Sequence, residues 1–187
     1  MNLNRRDFLL KGAALVATGT AGILLPDIAA ASSSTFWTRD RTVVLRRAQT
    51  GEKATIKFYQ NGRFLPESYR QLCWMLRDVV DNGQMSSIDF GVFNLLYGIQ
   101  EWAREAGVSN PMITVNSGYR TRSHNDALEG AAKGSLHVKG MAADIAVRGL
   151  DPSQVGQMAR YYRIGGVGFY DRFTHIDTGR VRQWRGG

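Results

Sequence analysis

Residues 134–145 read GSLHVKGMAADI, and the strand they run into decides how the rest of the chain is read. MAADIAV (141–147) alternates as a β-strand, with Ala142, Asp144 and Ala146 on one face and Ile145 and Val147 on the other. A carboxylate set between two alanines has open space around it. His137, one of only three histidines, lies just upstream. Gly140 lets the intervening loop bend so that this imidazole swings back over the strand. Further on, FTHID (173–177) reads as a second strand, with His175 and Asp177 pointing one way and Ile176 turned into the core. Asp144 and His175 are therefore expected to face each other across adjacent strands.

Working outward, GGVGFY (165–170) and FTHID form neighbouring strands joined by a tight turn at Asp171 and Arg172. MITVN (112–116) is a short strand after Pro111. SGYRTRSHNDALEG (117–130) is a loop running into a short helix that Gly130 ends. Asp151, Pro152 and Ser153 open another helix, through Tyr162. The clearest helix is Phe90–Ala106: Phe93, Leu96, Tyr97 and Ala103 make one stripe, Asp89 is its N-cap and Gly107 its stop. Its aromatics read as core. Pro66–Val80 places Leu72, Met75, Leu76, Val79 and Val80 at helical spacing, closed by DNG (81–83). From Thr42 to Tyr59, TVVLRR and ATIKFY flank QTGEK as a β-hairpin, and QNGR (60–63) is a second turn. With helices first and most strands last, the expected fold is α+β, with a small, mainly antiparallel sheet. No repeat or low-complexity segment interrupts it.

The first residues read differently. MNLNRRDFLLKGAALVATGTAGILLPDIAAASSS has a basic front (Arg5, Arg6, Lys11), a short apolar run from Gly12 to Leu25, a helix-breaking Pro26, and small residues that suit cleavage before Ser32. The run is too short and too rich in Gly, Ala and Thr to span a membrane. RRDFLLK resembles a twin-arginine export motif. Residues 1–31 are therefore expected to be an export signal. Residues 32–187 would be a single domain, with a lead-in and hairpin to residue 62 and a catalytic core from 63. The mature chain would be periplasmic, without a stable membrane anchor. The full chain carries a formal charge of +8; losing Arg5, Arg6 and Lys11 together with Asp7 and Asp27 leaves +7. A basic exported domain favours anionic partners such as cell-wall polymer, and nucleic acid is not expected there. The single cysteine, Cys73 in LCWML, reads as a buried helix thiol and cannot form an internal disulfide. A Cys73-based amidase or transpeptidase is the rival that this residue raises.

Two neutral imidazoles and a carboxylate are the ligand set of a catalytic zinc site whose fourth position is left to water. Zinc lowers the pKa of that water to about 7 and polarises a carbonyl. Spacing alone does not separate this from hydrogen-bonded structural histidines. The wider pattern adds to it. SLHVKGMAAD resembles the S-x-H-x-x-G-x-A-x-D signature of the zinc D-Ala-D-Ala metallopeptidases of bacterial cell walls. SGYRT resembles their SGYR segment and FTHIDTG their closing histidine strand, in the family's order. The similarity runs from Thr42 to Trp184 and is nearest the murein endopeptidase K branch, whose members are exported.

The resemblance implies a hedgehog-like α+β fold and one Zn²⁺ per chain, held by His137, Asp144 and His175. It makes Ser135 a supporting residue near Asp144, and it makes Arg120 and Tyr119 substrate-binding positions. Arg120 would also steady the tetrahedral oxyanion. Many members carry an acidic base three residues before the last ligand, where this chain has Arg172. Asp177 is the favoured base because it shares a face with His175, with orientation of an imidazole as its alternative role. Asp171 is the reserve. His124 is expected at the surface or in the substrate cleft. The implied activity is hydrolysis of peptide cross-links in peptidoglycan. D,D-carboxypeptidase trimming and a non-catalytic zinc-containing wall-binding role are the alternatives. Whether the bond joins D-Ala to diaminopimelate or two diaminopimelates stays open, as does the oligomeric state.

Overall fold

The structure, a computed structural model, describes residues 36–186. The export signal expected over residues 1–31 lies outside the described residues. After one 3-10 turn (Phe36–Thr38) come β1 (Arg41–Arg47), β2 (Lys53–Gln60), β3 (Arg63–Phe64) and α1 (Pro66–Met75). They are followed by α2 (Phe90–Glu105), β4 (Ile113–Ser117), α3 (Arg122–Ala127) and β5 (Ala142–Val147). The chain ends with α4 (Pro152–Tyr162), β6 (Gly166–Phe169), β7 (Thr174–Asp177) and β8 (Arg182–Arg185).

The α+β class holds, but the small, mainly antiparallel sheet does not. Eight strands form one mixed sheet in the order β3-β2-β1-β4-β5-β7-β6-β8. β1 pairs with β4 and β6 with β8 in parallel. The expected hairpin is present as β1 and β2, with Val43 opposite Ile56 and Leu45 opposite Ala54. The turn at QNGR leads into β3, which pairs back on β2. The strands missed from sequence, RF and RQWR, are edge segments too short or too polar for an apolar alternation to register. The parallel β1–β4 pair needs a long crossover, here β2, β3, α1 and α2, which no local pattern reveals.

The helix expected over Pro66–Val80 stops at Met75. Leu72, Cys73, Met75 and Leu76 are buried, whereas Val80 is exposed. Asp78 redirects the chain: its buried carboxylate accepts from the backbone N–H groups of Val80 and Asp81. Aspartate offers the backbone this alternative to helical bonding. α2 is submerged along most of its length between the sheet and α4. Asp89 caps it by accepting from Gly91 N at 2.8 Å. The fully buried Gln100 stitches it to the sheet, donating to the Val44 and Pro111 carbonyls while its Oε1 accepts from Val44 N. Each end of that amide is satisfied, so its burial is tolerated.

α4 opens with a capping box between Asp151 and Gln154 and crosses α2 where the Tyr162 hydroxyl donates to the Gly98 carbonyl at 2.8 Å. Ala143, Ile145 and Val147 of β5 and Ile176 of β7 face the resulting core. Asp144 and His175 are thereby left on the opposite face. Among the described residues no helix is long and apolar enough to cross a membrane.

Candidate metal centre

β5 and β7 pair antiparallel with Asp144 directly opposite His175. His137 reaches the same point from a tight turn. Lys139 N and Met141 N donate to the Leu136 carbonyl, Gly140 N donates to the His137 carbonyl, and Gly140 sits at φ +67°. The Gly140 carbonyl accepts from Asp89 N, so the turn is pinned to the start of α2.

Three donor atoms converge there. Asp144 Oδ1 lies 2.8 Å from His175 Nδ1 and 3.2 Å from His137 Nε2, and the two imidazole nitrogens are 3.1 Å apart. All three residues are buried. Among the described residues they form the one group of His, Cys, Asp and Glu side chains close enough to share a metal ion. A tetrahedral zinc with ligands at 2.0–2.1 Å has ligand–ligand edges of about 3.3 Å. The triangle's edges, 2.8–3.2 Å, come within about half an ångström of that requirement, and its nitrogen and carboxylate donors suit the ion.

Each donor is oriented from behind. His137 Nδ1 donates to the Gly118 carbonyl at 2.6 Å, which leaves the Nε2 lone pair available to a metal. Asp144 divides its carboxylate, with Oδ1 to the histidines and Oδ2 to the Arg120 Nη2 at 2.5 Å. Arg120 Nε is fixed on Ser117 Oγ at 2.8 Å. His175 Nε2 lies 3.2 Å from Asp177 Oδ2, on the side of the ring away from Asp144.

Asp177 is wholly buried and accepts from Gly166 N, Gly179 N and the Arg182 guanidinium. Same-strand alternation puts it beside His175, as expected, on the Nε2 side of the ring and outside the donor triangle. Ser135 Oγ takes the His137 backbone N–H at 3.3 Å rather than bonding near Asp144. Tyr119 is half-buried against the core, and Asp171 is exposed in the β6–β7 turn. His124 stands outside the triangle, its Nδ1 on both carboxylate oxygens of Asp78. Cys73 is buried in α1, and burial pushes its thiol pKa up, the wrong direction for a nucleophile. Arg182 and Trp184, whose ring centre is 5.2 Å from that of His175, are neighbours that sequence reasoning missed. The signal was their same-face spacing in RQWR, hidden because the strand itself was not recognised.

The charges are strongly coupled. Burial works against ionised Asp144, yet both histidines outweigh it and hold the carboxyl well below its ordinary range. Asp177 is likewise held low, its hydrogen bonds from His175, Arg182, Gly166 and Gly179 overcoming desolvation. Burial pushes the His137 pKa down despite Asp144. For His175 burial is outweighed by Asp144 and Asp177, and its pKa is raised.

Comparison with known proteins shows the family. Residues 35–184 match the family described as peptidoglycan L,D-endopeptidase MepK. The Escherichia coli K12 protein of that name is 37% identical over 187 residues, covering 97% of each chain. A Haemophilus influenzae protein described as "Probable peptidoglycan L,D-endopeptidase MepK" is 34% identical over 98% of this chain and 96% of its own. With the match extending across hairpin, sheet and donor triangle alike, the chain belongs to the MepK family of metal-dependent peptidases.

Proposed function

We propose that this protein is a zinc-dependent endopeptidase that cuts peptide cross-links of peptidoglycan outside the cytoplasm. The observation that carries the reading is the donor triangle of His137, Asp144 and His175, in a chain aligned along its length with peptidoglycan endopeptidases. An ion held there would acidify a water and polarise the scissile carbonyl. Arg120, anchored on Ser117 and Asp144, is the cation for the developing oxyanion, and Tyr119 beside it contributes to the substrate cleft.

Asp177 we assign to orienting His175, because its carboxylate is buried, fully occupied by donors and bonded to Nε2. That leaves Asp171, exposed between β6 and β7, as the candidate base. Residues 1–31 serve in this reading as a twin-arginine export signal ahead of a single domain, and peptidoglycan is the partner.

The relatives' L,D designation favours one of the two cross-links. The D-Ala–diaminopimelate link joins two D centres, whereas a diaminopimelate–diaminopimelate link joins an L to a D centre. Mass spectrometry of cross-linked muropeptides digested with the zinc-loaded protein tests this. Dimers joined through two diaminopimelates should become monomers. Products trimmed only at a terminal D-Ala would identify a carboxypeptidase instead.

A further inference from the structure

β8 brings two side chains against the metal centre from the sheet edge. Arg182 and Trp184 are its half-buried residues, while Gln183 and Arg185 face out. Arg182 grips Asp177 with both terminal nitrogens, Nη2 to Oδ2 at 2.8 Å and Nη1 to Oδ1 at 3.2 Å. Asp177 Oδ2 in turn meets His175 Nε2 at 3.2 Å, and His175 Nδ1 faces the donor triangle. The room for this chain of contacts is made by glycine: a Cβ on Gly166 would run into both the Arg182 guanidinium and the Asp177 carboxylate. Trp184 lies beside the His175 ring, with the Arg182 guanidinium 4.7 Å from the indole centre.

An imidazole can present either nitrogen to a metal, and the one it presents is decided by what the other nitrogen bonds. For His175 to ligate through Nδ1, its N–H must sit at Nε2 with an acceptor in place. Asp177 is that acceptor. As a buried carboxylate it needs a partner of opposite charge to hold its plane and offset its desolvation. Arg182 is the cation bonded to it.

We infer that Arg182 is a positioning residue of the metal centre, holding His175 through Asp177 with Nδ1 turned toward the ion. The inference rests on the metal reading above and extends the centre to β8.

Cobalt titration of the metal-free protein, followed by its visible absorption and by quenching of tryptophan emission, tests it. Arg182→Gln should bind cobalt about 10–100-fold more weakly than the unaltered protein, with an altered absorption band. Arg182→Lys, which keeps charge but loses the two-pronged grip, should recover part of the affinity. Nitrogen-15 histidine spectra of the zinc-loaded proteins should show one His175 tautomer in the unaltered chain. In Asp177→Asn, chosen as a second variant that leaves Arg182 in place, they should show a mixed population. Unchanged cobalt affinity and spectrum in Arg182→Gln, with normal binding by the unaltered protein, would overturn the inference alone. No cobalt binding by the unaltered protein would remove the metal centre and this inference together.

Discussion

Asp144 shows how much a single side chain does at this site. One oxygen completes the donor triangle and the other holds Arg120 at its edge. Arg120→Ala should therefore leave metal content near normal while lowering kcat/KM by about 10²–10³-fold, the usual loss when an oxyanion donor is removed. Metal analysis alongside steady-state rates checks it; loss of the metal would mean that Arg120 acts by holding Asp144.

Proton linkage at His175 gives a second expectation. Its pKa is raised in the metal-free protein by Asp144 and Asp177, and ligation requires the free Nδ1 lone pair, so binding competes with protonation. Zinc affinity should fall as pH drops through the raised value, with up to about one proton released per ion bound below it. Calorimetric titration in buffers of different ionisation enthalpy measures that release, and a pH-independent affinity would contradict it.

At this scale the sequence was readable where alternation governs. Period two placed Asp144 and His175 on one face, and the structure pairs them directly. Period two also placed Asp177 beside His175 but could not tell the front of an imidazole from its back. That depends on which ring nitrogen faces the ligands, and the deciding neighbours, Gly166, Gly179 and Arg182, come from elsewhere in the chain.

Among elements, the turn carrying His137 is the tightest constraint. Gly140 has a positive φ, and a Cβ there would meet the Ser87 carbonyl. Gly140→Ala should cost at least about 1–3 kcal/mol of stability from the left-handed backbone alone, and it should weaken metal binding because the same turn aims His137. By contrast, Asp151→Ala removes the α4 capping box, whose side-chain bonds to Ser153 and Gln154 involve none of the three donors. It should cost about 0.5–2 kcal/mol in denaturant unfolding with zinc affinity unchanged.

Elements with strong local signals, such as α2 with its Asp89 cap and α4 with its Asp151–Pro152–Ser153 start, were legible in advance. α1 was read too long because Val79 and Val80 continue the helical spacing. Asp78, held by Thr121 N and His124 at the start of α3, draws the chain away first. β3 and β8 exist through pairing with strands already in place, so nothing within them announces a strand.

For the molecule as a whole, one contiguous core packs α1, α2 and α4 against the mixed sheet and leaves the donor triangle on the other face, bonded to Arg120 and Asp177. Without an ion, Asp144 and Asp177 are kept ionised below their ordinary range. The stability they contribute is present above the unfolded carboxylate value of about 3.9 and is lost as pH falls from there toward their depressed folded values. Under the zinc reading proposed above, the ion would add to the native state by mass action, about 2.7 kcal/mol at a hundred times its Kd, so the thermal midpoint should rise with zinc and return on chelation.

The measurement bearing most directly on the account is elemental analysis of the purified protein and of His137→Ala, both equilibrated with zinc and then desalted. One zinc per chain is expected in the first and almost none in the second. Equal zinc in both, or none in either, would contradict a centre built from His137, Asp144 and His175.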